Sequence, residues 1–514
     1  MGSRSAPGHG GQRPLGPVTV GSAAGIASAV VAGRVRAVDV LDDHLSRHAS
    51  LHGRLNALVQ QRFRAAADDA AAVDAAPTGL LAGVPVSIKE CFPVRGMLTS
   101  LGIESRRSCV DAADAPLVSR LRAAGAIVIG KGNVPQAMYL HETDNPVWGR
   151  SVHPEAAERG PGGSSGGDAA LVAAGVVPLA VGNDLAGSLR QPAHACGIAT
   201  IMPRSAVLGD GGAFDTMPLL RVVRPRAGFL GRTIDDLELA LVAVGATEPG
   251  ACELPLRVAW WDDAGPVPAS AAIVRGVHEA VGWLRDAGAE ASARDGALAC
   301  EAAWLHLAIL SADGGSQVRS LFGRTRPIRA VRRLLQIGGL SRPLRGPLAA
   351  LVGLLGSRLE ARALGSTGPR GAAGMAALEA ARDAIAMRFA AEYAGCDAIV
   401  CPVSALPALR HGSADQLLLA AAPCLLANLL DLPAGAVPVT RVRGDEERCR
   451  PPARDPVLRA AARADEGSAG LPVAVQVIAG PGRDEATVLR VMRVIAQEAG
   501  GRSEGTDHGA RLRR

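Results

Sequence analysis

The sequence predicts an α/β protein built around one large, mostly buried β-sheet. Short apolar runs rich in β-branched residues alternate along the chain with helical patterns, as expected of strands joined by helices. The 514 residues are 48% hydrophobic and 20% charged, which is typical of a globular protein and unlike a disordered or fibrous one. No linker divides the chain, so one large domain is expected over residues 21–499, between disordered segments at 1–20 and 500–514.

The individual elements follow from apolar periodicity and from the residues that end helices. A small-residue helix is predicted from Ser22, although its uncharged sequence also leaves a signal peptide open. The helix over 65–77 is rich in Ala and Asp and is predicted to be solvated. The predicted strands are Val84–Ile88, Ala126–Ile129, Leu179–Val181, Leu256–Trp261, Ala398–Val400, Gly435–Val439 and Val473–Ile478. The other predicted helices are Leu117–Ala124, Ala169–Ala174, a helical insertion at about 300–395, and a C-terminal helix around 488–499.

Charge and cysteine usage exclude several classes of function. The net charge of +6 is too small for this length to indicate nucleic-acid binding. The nine cysteines are odd in number, widely spaced and without a Cys-x-x-Cys, which argues against a disulfide framework and a zinc site. A reducing, cytoplasmic location is therefore expected. No His-Glu-x-x-His motif occurs, and neither a metal nor another cofactor is predicted.

Two glycine–serine blocks carry the strongest functional signal. The first block is Gly160-Pro-Gly-Gly-Ser-Ser-Gly-Gly-Asp168, and the second, Gly182–Pro192, places Ser188 24 residues after Ser164. A phosphate-binding loop is disfavoured because no Gly-Lys-Ser/Thr follows. The Gly-x-Ser-x-Gly pattern at 162–166 also matches a nucleophile elbow, but loop formers rather than a strand precede it. The third interpretation is one site that uses both serines.

Lysine is rare in this chain, and its two occurrences are informative. Only Lys89 and Lys131 are lysines among the 55 basic residues. Arginine serves wherever only a positive charge is needed, whereas lysine can lose its proton at useful pH. Lys89 ends the apolar strand Val84–Ile88, so burial is expected to lower its pKa. The alternative is a surface lysine paired with Glu90, and Lys131 is expected to be a structural or surface residue.

The motifs together resemble those of the amidase signature family. The signature-like segment is Gly162–Ala193, and the segment Gly83-Val-Pro-Val-Ser-Ile-Lys89-Glu90 is similar to the lysine motif of that family. Blocks at 89–92, 133–138, 145–149, 431–440 and 470–476 resemble the fatty acid amide hydrolase branch. The core motifs thus span 83–205. The resemblance implies a large mixed central β-sheet with helices on both faces, and hydrolysis of carboxylic amides, above all lipophilic or fatty acid amides. Hydrolysis of other aryl or alkyl amides, or an amidotransferase A subunit, are alternatives.

The resemblance also implies roles for individual residues in amide hydrolysis, which needs a nucleophile, a base and donors for an oxyanion. Ser188 is expected to be the nucleophile that forms an acyl-enzyme, Ser164 a proton shuttle at a cis peptide bond, and Lys89 the base. The expected oxyanion hole consists of the backbone N–H groups of Leu185, Ala186, Gly187 and Ser188.

Further residues are expected to support this site. Ser165 is predicted to contribute a hydrogen bond, and Asp184 and Arg190 are predicted to form an ion pair beside the nucleophile. Met138 is a candidate for the acyl pocket, with simple core filling as the alternative. Asn183 stands where many relatives have threonine, which leaves the fine hydrogen bonding of the site open.

The segment 319–362 has an unusual composition. It contains ten arginines, many leucines and a single acidic residue, Glu360. Arginine and leucine at helical spacing are typical of a helix that lies on a membrane surface, and Pro343 and Pro347 are predicted to break this helix into two pieces. The sequence leaves open whether the segment contacts a membrane or packs on the body or on a second subunit of a homodimer. The predicted small-molecule partner is a lipophilic amide substrate, and no nucleic acid is expected.

Overall fold

The computed structural model describes residues 21–247, 255–263 and 265–511, without the side chains of 501–511. The predicted disordered segment at 1–20 lies outside these residues. Within the described chain, eleven strands form one mixed sheet in the order β1-β3-β2-β4-β6-β5-β10-β11-β9-β7-β8. The strands are β1 (Leu58–Gln61), β2 (Pro85–Lys89), β3 (Ile127–Gly132), β4 (Leu179–Asp184), β5 (Ala199–Met202), β6 (Arg226–Gly231), β7 (Arg257–Trp260), β8 (Glu290–Ala293), β9 (Ala398–Pro402), β10 (Ala434–Arg441) and β11 (Pro472–Ala479).

Helices cover the sheet, and every residue of β2, β3, β4, β6, β9 and β11 is buried. The helices are α1 (Ala23–Val31), α2 (Ala37–Leu55), α3 (Phe63–Ala75), α4 (Pro116–Ala123), α5 (Gly166–Ala173), α6 (Arg190–Cys196), α7 (Ser205–Leu208), α8 (Ile234–Ala243), α9 (Ala271–Asp286), α10 (Ala297–Leu310), α11 (Ser316–Leu321), α12 (Arg329–Gly338), α13 (Arg342–Leu354), α14 (Arg358–Ser366), α15 (Ala372–Glu392), α16 (Leu425–Leu429), α17 (Pro456–Asp465) and α18 (Glu485–Arg511).

Strand β2 runs parallel to both of its neighbours, β3 and β4. Lys89 is the last residue of β2 and Asp184 the last residue of β4. Because the carboxyl ends of parallel strands meet at the same edge of a sheet, the lysine motif and the second glycine–serine block lie side by side. The chain leaves β4 at this edge, passes Ser188 and enters α6.

The α/β class is confirmed, and each of the seven predicted strands overlaps an observed one. Four strands were not predicted: β1, β5, β6 and β8. Strand β6 contains Gly228, Gly231 and Arg226, and β8 is the short segment Glu-Ala-Ser-Ala, so neither has the composition that favours a strand. The predicted C-terminal helix is observed as part of α18, which extends to Arg511.

Six helices, α10–α15, occupy the chain between β8 and β9. The segment is broken just before Pro343, where residues 339–341 separate α12 from α13, whereas Pro347 lies inside α13 and does not break it. Pro343 is accommodated in the first turn of α13, where a backbone N–H would have no partner within the helix. Among the described helices, none combines the length and the apolar character needed to cross a bilayer.

Candidate active site

Lys89 contacts the first glycine–serine block through a buried hydrogen bond. Its Nζ lies 2.7 Å from Ser164 Oγ and 2.7 Å from Asn183 Oδ1, and none of the three side chains is more than marginally exposed. Burial lowers the pKa of Lys89, against the opposing charges of Cys91, Asp168 and Asp184. The ammonium is therefore shifted toward the neutral amine, which is the form that can accept a proton.

The two lysines differ in their partners. The alternative of a surface Lys89 paired with Glu90 is wrong, because the Glu90 carboxylate instead accepts hydrogen bonds from the backbone N–H groups of Ser100 and Leu101. Lys131 is also fully buried, and its Nζ donates to the Leu98 carbonyl at 2.6 Å and lies 3.2 Å from Asp111 Oδ2. Lys131 is thus a structural residue.

Ser164 and Ser165 lie where the first block enters α5. The Gly163–Ser164 peptide bond is cis, as the resemblance implied. A Cβ on Gly167 would come within 2.2 Å of the Asn133 backbone nitrogen, so only glycine lets α5 start this close to the neighbouring loop. The expected hydrogen bond from the Ser165 side chain is not found, since its Oγ has no partner among the described residues. The Ser165 backbone N–H instead donates to the Ser188 carbonyl at 3.1 Å.

Ser188 lies in the turn between β4 and α6 and is 8% exposed. No hydrogen bond joins Ser188 Oγ to Ser164 Oγ within the described part of the chain. The structure therefore contains the Lys89–Ser164 contact of the predicted relay, whereas the Ser164–Ser188 contact is not closed. Hydrogen bonds of this kind are often loose in unliganded sites and tighten when substrate binds.

The predicted oxyanion donors divide into two groups. The Gly187 N–H donates to Asp184 Oδ1 at 2.7 Å, and its role as an oxyanion donor stays a prediction. The N–H groups of Leu185, Ala186 and Ser188 have no protein acceptor among the residues described. Gly187 has a φ of 95°, and a Cβ there would lie 3.1 Å from Cys424 Sγ. Both features require glycine at this position.

Asp184 and Arg190 form a fully buried ion pair behind the nucleophile. Arg190 donates to the two carboxylate oxygens at 3.0 and 3.1 Å. Burial alone would raise the pKa of Asp184, but the Arg190 charge and hydrogen bonds outweigh it and hold this pKa below its usual range. Asn428 bridges the pair, donating to Asp184 at 2.9 Å and accepting from Arg190 at 2.6 Å. Arg190 also donates to Gln476 Oε1.

Sequence reasoning assigned no role to three polar residues around this site. Asn183 is recognisable from the sequence only as a departure from relatives, yet it accepts directly from Lys89. Asn428 interrupts the apolar run Leu425–Leu430, and a polar residue in such a run is a signal that could have found it. Asp168 accepts from Ser87 Oγ at 2.8 Å, and burial raises its pKa to about 7.

Met138 lies in a short 3-10 turn, Gln136–Met138, and is partly exposed. Ala137 and Met138 both have a φ of 56°, which is unusual for residues with a side chain. Gln136 Oε1 accepts from the Ile328 N–H at 2.8 Å, which ties this turn to the residue before α12. The role of Met138 in an acyl pocket stays a prediction.

Comparisons with known proteins agree with the motifs. Residues 39–488 match the family model described as Amidase. The chain is 32% identical to fatty-acid amide hydrolase 1 of Sus scrofa over 81% of this chain and 76% of that protein. It is 38% identical to indoleacetamide hydrolase of Bradyrhizobium diazoefficiens over 50% of this chain and 49% of that protein. A solved structure of fatty acid amide hydrolase shares the fold, with a TM-score of 0.81, 21% identity, and coverage of 95% of this chain and 87% of that one. The chain therefore belongs to the amidase signature family and is an amide hydrolase.

Proposed function

We propose that this amidase hydrolyses lipophilic carboxylic amides through a Ser-Ser-Lys relay. The observation that carries the proposal is the buried contact of 2.7 Å between Lys89 Nζ and Ser164 Oγ. Serine is inert at neutral pH unless a base takes its proton, and a neutral Lys89 that acts through Ser164 supplies that base.

The partners of Lys89 suit a neutral amine. Such an amine has two N–H bonds and one lone pair, and Asn183 offers two acceptors, its Oδ1 at 2.7 Å and its backbone carbonyl at 3.3 Å. With both N–H bonds directed at Asn183, the lone pair faces the Ser164 hydroxyl. Asn183 thus orients the base, a role that explains why an amide side chain serves at this position.

The reaction then proceeds in two halves. Ser188 Oγ attacks the amide carbon while its proton passes to Ser164, whose own proton passes to Lys89. The N–H groups of Leu185, Ala186 and Ser188 are free to stabilise the oxyanion. Return of the proton through Ser164 to the nitrogen releases the amine and leaves an acyl-enzyme on Ser188, which water hydrolyses by the same relay.

The surface of α13 supports a lipophilic substrate. Leu344, Leu351, Leu354 and Leu355 are 58%, 53%, 87% and 76% exposed. Exposed arginines lie near them in sequence, at positions 332, 333, 342 and 358. Exposed leucines beside arginines favour contact with an anionic membrane surface, from which a lipophilic amide could enter the site. Residues 319–362 are therefore proposed as a peripheral membrane contact, with a homodimer interface as the competing outcome.

The reaction is tested by labelling with a fluorophosphonate, followed by competition with an amide panel. Labelling should be lost in Ser188→Ala, in a protein that remains folded by circular dichroism. Labelling that disappears only in Ser164→Ala would contradict the assignment of the nucleophile. The panel should contain fatty acid amides and indole-3-acetamide, because the similar proteins include a fatty-acid amide hydrolase and an indoleacetamide hydrolase. Stronger competition by the aryl amide would replace the lipophilic assignment.

A further inference from the structure

The peptide group between Ala186 and Gly187 is held from both sides. The Ala186 carbonyl lies 3.0 Å from Nε2 of His141, and the Gly187 N–H lies 2.7 Å from Asp184 Oδ1. A trans peptide is planar, and its C=O and N–H point in opposite directions. The two hydrogen bonds therefore act on opposite edges of one plane, and they fix its rotation about the chain.

The fixed plane determines how its neighbours are oriented. The peptides on either side of it carry the Ala186 and Ser188 N–H groups, both without a protein acceptor among the residues described. A rotation of the Ala186–Gly187 plane would change the orientation of these adjacent donors. Misplacement of reacting groups by about 1 Å costs on the order of a hundredfold in rate.

We propose that His141 is a positioning residue for the proposed amidase reaction: its imidazole holds the Ala186 carbonyl so that residues 185–188 present their free N–H groups to the oxyanion. The inference rests on the proposed function of this loop. Asp184 holds the same peptide from the other side but also pairs with Arg190, whereas His141 makes no other side-chain hydrogen bond in the described chain.

The acceptor determines the tautomer of His141. A carbonyl oxygen can only accept, so Nε2 must carry the proton. Burial lowers the pKa of His141, and Lys89 and Arg190 lower it further against the Ala186 carbonyl and Asp184. The neutral ring with its proton on Nε2 is therefore the form that holds the loop.

The position of His141 links the two serine loops. A Cβ on Gly163 would lie 2.7 Å from the Leu140 carbonyl oxygen and 3.0 Å from the Glu142 nitrogen. The segment 140–142 therefore packs directly against the residue before Ser164, while the side chain of His141 reaches the loop of Ser188. One short segment thus sets the relative placement of shuttle and nucleophile loops.

The test compares donors at position 141 in the full chain. His141→Phe keeps a ring but removes the donor, His141→Ala removes both, and His141→Gln restores an N–H at similar reach. We expect the folded donor-less variants to lose on the order of tenfold to a hundredfold in kcat with little change in KM. Fluorophosphonate labelling of Ser188 should slow in parallel, and His141→Gln should recover most of both rates.

His44→Phe is the matched control, because His44 Nδ1 makes the same kind of bond to the Val176 carbonyl, at 2.8 Å, away from the site. It should leave kcat unchanged whatever its effect on Tm. The proposal is overturned if donor-less variants keep the wild-type kcat, or if His141→Gln falls as far as His141→Phe at equal Tm. Labelling that needs Ser188 but is insensitive to position 141 overturns this inference alone. Absence of any Ser188 labelling in the wild type overturns the proposed function as well.

Discussion

The catalytic core and the helices α12–α13 place polar and apolar groups in opposite ways. In the core, the ionisable residues Lys89, Asp184 and Arg190 are completely buried. Along α13, by contrast, leucines face solvent, and Arg345 is the one buried residue of that helix. Each arrangement is costly in an isolated soluble domain, so each needs its own physical reason.

The reasons differ in the two regions. In the core, every buried charge has partners, and burial is what moves the pKa of Lys89 toward a useful range. On α13 no described residue covers these leucines, and the proposed membrane contact would supply the compensation. We infer that the core determines the reaction, whereas α12–α13 determine the surface from which the substrate enters the site. Substitutions in each region test this division of roles.

The largest effect is expected for Lys89→Arg. Arginine stays protonated at any useful pH, so the variant should lose at least about 10²–10⁴-fold in kcat at pH 7–8, as Lys89→Ala should. Steady-state hydrolysis of an amide that competes with labelling would measure the loss.

Lys131→Arg controls for placing a larger side chain at a buried lysine. Because Lys131 is buried with Leu98 and Asp111, this variant should lower Tm, and its folded fraction should keep its kcat. A Lys89→Arg enzyme with a third of the wild-type activity would contradict the relay.

Asp184→Asn should be the most destabilising single change in the core. It leaves Arg190 charged, buried and without its carboxylate, which typically costs about 3–5 kcal/mol of unfolding free energy. Circular dichroism monitored during urea unfolding measures this loss of unfolding free energy. A variant as stable as the wild type would show that Asn428 and Gln476 alone can hold the Arg190 guanidinium.

A moderate effect on vesicle binding is expected for substitutions of the exposed leucines of α13. Leu351→Glu together with Leu355→Glu should weaken co-sedimentation with anionic vesicles by more than about tenfold, since burial of each leucine is worth about 1.5–3 kcal/mol. Leu219→Glu is the matched control, because Leu219 is 77% exposed elsewhere on the surface.

Hydrolysis of a short, water-soluble amide should stay unchanged in the double variant. Vesicle binding that the substitutions do not alter would reject the membrane contact. Conversion of a dimer into a monomer, measured by light scattering, would instead assign the leucine surface to a second copy of the chain.

The smallest effect is expected for Ser165→Ala. The Ser165 Oγ is buried without a hydrogen-bond partner in the part of the chain described, so its removal strands no other group. The rate should remain within about threefold of wild type, because the backbone N–H that holds the Ser188 carbonyl is retained. A hundredfold loss would mean that the hydroxyl acts in the reaction.

Features that depend on local pattern are predictable from the sequence. Lys89, Ser164 and Ser188 stand in blocks whose resemblance to the motifs of the amidase signature family predicts one shared site. The hydrogen bond from the Gly187 N–H to Asp184 is not predictable in this way, because the three-dimensional turn selects this acceptor. Asn428 comes from a distant segment, and only the assembled sheet brings it to Asp184.

Which leucines of a helix are exposed is not predictable from the sequence in the same way. Leu335 and Leu351 occur in equally apolar, arginine-rich surroundings, yet Leu335 is buried and Leu351 is 53% exposed. Which face of an amphipathic helix packs on the body depends on neighbouring helices, and composition does not specify it.

The central claim is that a buried, neutral Lys89 takes the proton of Ser188 through Ser164. The most direct measurement is the pH dependence of the Ser188 labelling rate in wild type and in Lys89→Ala. Because burial lowers the pKa of Lys89, the wild-type rate should rise with pH and level off well below the ordinary lysine value of about 10.4. The Lys89→Ala rate should be low and should lack this rise. The same rising limb in both proteins would contradict the account.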